Sequence, residues 1–290
     1  MRWTPGGRSR DLEDRRAETG GRMLRRGAPI GIGGLLLLLA LSMLTGTDFL
    51  SLIGGPGQVM VPEQGAQPGR APTEPSPEEE RLVEFVSFVL DDNQKTWGAL
   101  LPGRYQHAKL VLFRDAVPSA CGFAEAATGP FYCPGDQKVY IDLGFYDELR
   151  SRFGAPGEFA QAYVLAHEIG HHVQNLLGID RQVRQLQQSR PRLANQLSVR
   201  MELQADCFAG VWGRSTAQRN LLEQGDVEAG LNAAAAIGDD RIQRMSTGRV
   251  HPESFTHGSS AERVQWFKRG LQTGDPDACD TFGTEQTGTY

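Results

Sequence analysis

Residues 167–171 read His-Glu-Ile-Gly-His, and no other stretch of this 290-residue chain restricts its fold as tightly. In an α-helix, positions i and i+4 lie one turn apart on one face, so His167 and His171 can turn both imidazoles toward a single metal ion. Glu168 sits beside the first imidazole, where its carboxylate reaches a water on the metal rather than the metal. Zinc lowers the pKa of such a water from about 15.7 towards 7, and the carboxylate accepts the proton as the hydroxide attacks a carbonyl. The chain holds six histidines, so chance would produce this spacing in about one chain in a hundred or fewer. The pattern predicts a helix from Glu158 to Asn175, with Phe159, Ala162, Tyr163, Ala166, Ile169 and Val173 on the face away from the ligands. His172 is rotated about 100° off the ligand face, so a packing or outer contact is expected of it.

A catalytic zinc takes three protein ligands and keeps one position open. Downstream, Met201-Glu202-Leu203-Gln204-Ala205-Asp206 lies in a stretch that reads as helix from Ala194 to Trp212. Glu202 and Asp206 again stand at i and i+4. Glu202 is the candidate third ligand. Asp206 is the candidate acceptor for the free ring N–H of a zinc histidine, which would fix its tautomer. The plainer alternative is two acidic residues on a solvated helix face.

Upstream, the chain changes character. Residues 1–26 carry eight Arg against four acidic residues, a net charge of +4 in a chain of net −5. No charge occurs from Gly27 to Thr47, and as a helix those residues would span roughly 30 Å, the thickness of a bilayer's hydrocarbon core. The expected division is a basic cytoplasmic N-terminus (1–27), a transmembrane anchor (28–47), a Pro/Gly-rich flexible linker (48–76) and a folded domain (77–290) outside the cytoplasmic membrane, periplasmic or extracellular. A cleaved signal peptide, with Ala40-Leu41-Ser42 at the cleavage site, is the alternative. Ser76, Pro77 and Glu79 predict a capping box at the first helix of the domain. Four cysteines in an exported domain favour two disulfides. Of the three possible pairings the local one is preferred, Cys121 with Cys133 and Cys207 with Cys279. No C-x-x-C spacing occurs, which argues against a cysteine-built zinc site. The acidic balance, with a pI of about 5.7, gives no reason to expect nucleic acid as a partner.

Leu110–Phe113 and Lys138–Asp142 read as strands, and the chain beyond Gly157 reads mainly as helix. Strands first and helices after point to an α+β domain, mostly helical with a small sheet. Near the end, Ser259 and Glu262 form a second capping box, which sets His257 just before a helix start. A donor there could stabilise the oxyanion of a peptide-hydrolysis transition state. His257 is the first candidate for that donor and Arg263 the second; His251 is a lesser one, and a structural role for His257 is the alternative.

The pattern His167-Glu168-x-x-His171 followed by Glu202-x-x-x-Asp206 resembles the gluzincin class of metallopeptidases. More closely, the chain resembles the bacterial putative neutral zinc metallopeptidase family. The likeness lies in Phe131 to Pro134, His167 to Gln174, Glu202 to Cys207, Phe255 to Gly258 and Cys279 to Phe282. It implies a zincin-like fold, a Zn2+ cofactor and a peptide or protein substrate. It also implies that substrate lies along an edge strand, for which Lys138–Asp142 is the candidate; an interior position for that strand is equally open. The expected function is a membrane-anchored zinc metallopeptidase. The competing reading is a zinc-binding, non-hydrolytic envelope scaffold, against which the presence of Glu168 argues.

Overall fold

The computed structural model describes residues 1–18, 75–125 and 129–283. The expected anchor at 28–47 lies outside the described residues, as does the linker up to residue 74. Among the described residues, no helix is long and apolar enough to cross a membrane.

Strand β1 (Leu12–Asp14) comes first, and the chain is next described from Pro75, just before helix α1 (Pro77–Leu100). Ser76 caps α1 through the amide of Glu79. The reciprocal half of the expected capping box is replaced: the Glu79 carboxylate pairs with Arg16 and Arg114. Then follow β2 (Lys109–Phe113), a hairpin of β3 (Ala116–Ser119) and β4 (Gly122–Glu125), β5 (Phe131–Cys133) and β6 (Lys138–Asp142). The main sheet has the order β1-β2-β6-β5, with β5 alone antiparallel to its neighbour.

Two expectations change here. Lys138–Asp142 is an interior strand between β2 and β5, with Val139, Tyr140 and Ile141 all buried. The edge on the far side of β6 is β5, whose three residues are too few to show alternation in the sequence. The second change concerns the N-terminus. Leu12, Glu13 and Asp14 pair with Leu110, Val111 and Leu112, Arg16 binds Asp14, Glu79 and Glu80, Glu13 binds Lys138 and Trp3 packs on Phe85. Residues 1–18 and the chain from Pro75 onward form one compact unit, whereas the sequence places the start of the fold at residue 77.

The helices follow as α2 (Gly144–Ser151), α3 (Glu158–Leu177), α4 (Ile179–Ser189), α5 (Ala194–Gln218), α6 (Asp226–Ala236), α7 (Asp239–Thr247) and α8 (Ser260–Thr273). The face of α3 predicted to turn from the ligands is buried throughout, and Phe159 stacks on Trp212 of α5. At Gly170 the α5 backbone comes so near that an added Cβ would lie 2.9 Å from the Ala205 carbonyl oxygen. Helices α5 and α8 meet in the same way, and a Cβ on Gly270 would collide with the Cys207 carbonyl. The disulfides are Cys121–Cys133, joining the hairpin tip to β5, and Cys207–Cys279, joining α5 to the turn after α8. The α+β, mostly helical class holds, with α3, α5 and α8 side by side at its centre.

Candidate metal centre

The close approach at Gly170 sets α5 against the ligand face of α3. Glu202 Oε2 then lies 3.1 Å from His167 Nε2, and Glu202 Oε1 lies 3.4 Å from His171 Nε2. One ligand atom from each of His167, His171 and Glu202 falls within 4.8 Å of the other two. Tetrahedral bonds of about 2.0–2.1 Å put ligand atoms roughly 3.3 Å apart, so these donors frame a space of zinc size.

The remaining ring nitrogens are also held. His167 Nδ1 is 2.8 Å from Asp206 Oδ1, and His171 Nδ1 is 2.8 Å from Gln174 Oε1. A carboxylate and an amide oxygen only accept, so each Nδ1 carries a proton and each Nε2 is the atom turned to Glu202. Asp206 is fully buried. Arg263 grips both its oxygens, at 2.8 and 2.9 Å, and the Tyr163 hydroxyl donates to it. Burial works against the Asp206 charge, but Arg263 and His167 outweigh it and hold the carboxyl below its usual range. Burial likewise opposes a charge on His167, yet Asp206 and Glu202 raise its pKa to about 10. Such concentrated negative charge around an imidazole is what a divalent cation between these ligands would neutralise.

Glu168 is buried and its pKa is raised by desolvation. Among the described residues its carboxylate accepts no hydrogen bond, so it is free to take a proton. It lines a cleft of about 650 Å³ together with the three candidate ligands, Phe131 and Tyr132 of β5, and His257. His257 is half-exposed and its Nδ1 lies 3.2 Å from Asp239, whose carboxylate also accepts the backbone N–H of Thr256, His257 and Gly258. Arg263 reaches the cleft wall, but it is almost fully buried and its guanidinium is committed to Asp206 and the Ile237 carbonyl. It supports the site from behind, which removes it as an oxyanion donor. His251 is exposed, pairs with Glu253 and does not line the cleft. His172, off the ligand face, donates Nε2–H to the Gln106 carbonyl and accepts from Tyr132, so it ties α3 to the edge strand.

The sequence reading put Tyr163 on the face away from the ligands, whereas its hydroxyl reaches Asp206 behind His167, and it gave Gln174 no role. A signal existed for both. Tyr163, His167 and His171 form one i, i+4 row, and Gln174 follows at i+3 on the same face.

These elements define a class: a metal helix with a His-Glu-x-x-His face, completed by a carboxylate from a neighbouring helix. The model of the family described as "Putative neutral zinc metallopeptidase" matches residues 1–282, and the chain belongs to that family. It is 48% identical to the Escherichia coli (strain K12) protein named "Uncharacterized protein YpfJ", over 98% of this chain and 99% of that one. It is 47% identical to the Mycobacterium tuberculosis (strain ATCC 25618 / H37Rv) protein named "Uncharacterized protein Rv2575", over 66% of this chain and 68% of that one. No solved structure gives a significant match.

Proposed function

We propose that the protein is a zinc-dependent peptidase that hydrolyses peptide bonds of peptide or protein substrates. The observation that carries this reading is the placing of buried Glu168 beside three donors spaced for one ion. His167, His171 and Glu202 would hold the zinc, which when bound supplies a Lewis acid and an acidified water. Glu168 takes the proton and hands it to the departing amine. Its burial favours the proton-holding state that this transfer needs. Asp206, backed by Arg263 and Tyr163, keeps the His167 ring fixed. His257 donates to the developing oxyanion, held in place and kept cationic by Asp239. Edge strand β5, with Phe131 and Tyr132 facing the cleft, takes the role expected of Lys138–Asp142 and receives an extended substrate by β-augmentation. Two disulfides support a location outside the reducing cytoplasm, and attachment to the membrane through residues 28–47 belongs to the same proposal.

The test is cleavage of a peptide library by the full-length protein, with and without a chelator. Near-stoichiometric zinc is expected, falling sharply in His167→Ala and Glu202→Ala. Glu168→Gln should keep its zinc and lose cleavage. Full zinc content with no cleavage of any peptide would favour the scaffold reading.

A further inference from the structure

The second metal histidine ends a chain of hydrogen bonds that starts at a disulfide. His171 Nδ1–H meets Gln174 Oε1 at 2.8 Å. The Gln174 amide nitrogen donates to the Met201 carbonyl at 2.7 Å and to Gln204 Oε1 at 3.0 Å. The Gln204 amide nitrogen in turn donates to the Cys279 carbonyl at 3.0 Å. Gln174 is completely buried, Gln204 nearly so, and Cys279 completely.

The direction of the whole chain follows from its last member. A backbone carbonyl only accepts, so Gln204 must present nitrogen to Cys279 and oxygen to Gln174. Gln174 must then present nitrogen to Gln204 and oxygen to His171. His171 is left with its proton on Nδ1 and its Nε2 lone pair on the side of Glu202. Turning either amide over would set oxygen against oxygen inside the protein, where water cannot compensate. The Cys279 carbonyl is itself held in place by the Cys207–Cys279 bond, and the Thr281 hydroxyl on the Arg200 carbonyl fastens the tail just beyond it.

We propose that Gln174 is a positioning residue for His171, and that the Cys207–Cys279 disulfide acts on the metal centre through the Gln204–Gln174 amide relay. This inference rests on reading His167, His171 and Glu202 as the metal ligands. Reduction of that bond frees the Cys279 carbonyl, loosens both amides and weakens metal binding without touching a ligand. Met201 still holds Gln174 after the bond is broken, so the disulfide's effect is smaller than that of removing Gln174. The Cys121–Cys133 bond is not connected to the relay and has no such effect.

The experiment measures zinc affinity of the full-length protein by chelator competition, with circular dichroism on each preparation. Gln174→Met has similar length and no hydrogen bonds, and it should weaken zinc binding about 10–100-fold, as expected for loss of a group that orients a ligand. Cys207→Ser/Cys279→Ser should weaken it by a smaller factor, and Cys121→Ser/Cys133→Ser should leave it unchanged. The distinguishing arm combines Gln174→Met with the Cys207/Cys279 pair. If the disulfide acts through Gln174, the combination binds zinc as Gln174→Met alone does. Independent, multiplying effects would overturn the relay, and so would wild-type affinity in Gln174→Met. Should Gln174→Met fail to fold, Gln204→Met enters the same cycle one bond further from the metal. Failure of the underlying reading looks different: His171→Ala would then bind zinc as tightly as the wild type.

Discussion

His257 shows how one carboxylate can set a neighbour's charge. Asp239 accepts three backbone amides and the His257 ring. Its own carboxyl is held low: burial opposes the charge, but the bonds from His257 and the amides outweigh it. His257 is raised chiefly by its bond to Asp239, against the opposing effect of burial. The signs give a window. Asp239 contributes stability that is present above its ordinary 3.8 and is lost as pH falls through its lower folded pKa. The charged His257 contributes stability that is full below its ordinary 6.5 and is lost as pH rises through its higher folded pKa. Melting curves of the wild type and Asp239→Asn should therefore differ most between about pH 4 and 6.5, the two ordinary values bounding the window. The difference should shrink at either side, and a gap constant from pH 3 to 9 would contradict the pairing. For catalysis, His257→Ala should keep zinc and melting temperature while kcat falls on the order of 10²–10³, with KM little changed. Lost stability, with activity recovered once the folded fraction is counted, would make His257 structural.

Among the elements, the contact between α3 and α5 decides whether a metal site exists. Gly170 lies inside the His-Glu-x-x-His motif at a position the motif leaves free, yet it is where the α5 backbone rests on α3. Gly170→Ala gains helix propensity of about 1 kcal/mol. It also forces a Cβ to within 3.0 Å of backbone atoms that cannot swing aside, and overpacking of this kind typically costs about 1–3 kcal/mol. The expected outcome is a net loss of stability together with weaker zinc binding, because the shift carries Glu202 away from both histidines. Calorimetry and chelator competition on one preparation check it; a stabilised variant with unchanged affinity would show that the helices can part without cost to the site. Helix periodicity was legible for α3 and α5. Their separation was not, because a glycine's role in a close approach depends on what lies opposite.

For the whole molecule, the N-terminal segment is the feature that departs most from the sequence reading. Arg16, with its side chain 4% exposed, is bound by three carboxylates, and β1 extends the sheet beyond β2. Glu13 stands directly opposite Val111 on the neighbouring strand β2, at the strand spacing of about 4.8 Å that a disulfide can bridge. Cysteines at these two positions, in the full-length protein in intact cells, should form an intramolecular disulfide with the native ones retained. Absence of that bond, with Glu13→Cys and the folded domain accessible from opposite sides of the membrane, would separate residues 1–18 from the domain by a membrane crossing. The Cys207–Cys279 bond closes a loop of 72 residues in sequence separation, and breaking a bond of this kind costs about 2–5 kcal/mol. It should therefore be the more important of the two for stability.

By itself the sequence determined the parts that depend on local spacing. A turn of helix brings His167 and His171 to one face, the cap at Ser259 starts α8, a short apolar run marks β2 and an alternating one marks β6. The pairings Cys121–Cys133 and Cys207–Cys279, preferred among three, are those the fold contains. Tertiary structure alone decided which chemically similar groups meet. It gave β5 the edge and β6 the interior, and turned Arg263 from the cleft to Asp206. It also joined Gln174, through Gln204, to the Cys279 carbonyl more than a hundred residues away and drew residues 12–14 into the sheet. Spacing acts through covalent geometry over a few residues, whereas these choices depend on which surfaces are buried together. A short polar strand or a single glutamine carries no periodic signal of its neighbour until the core has brought the two into contact.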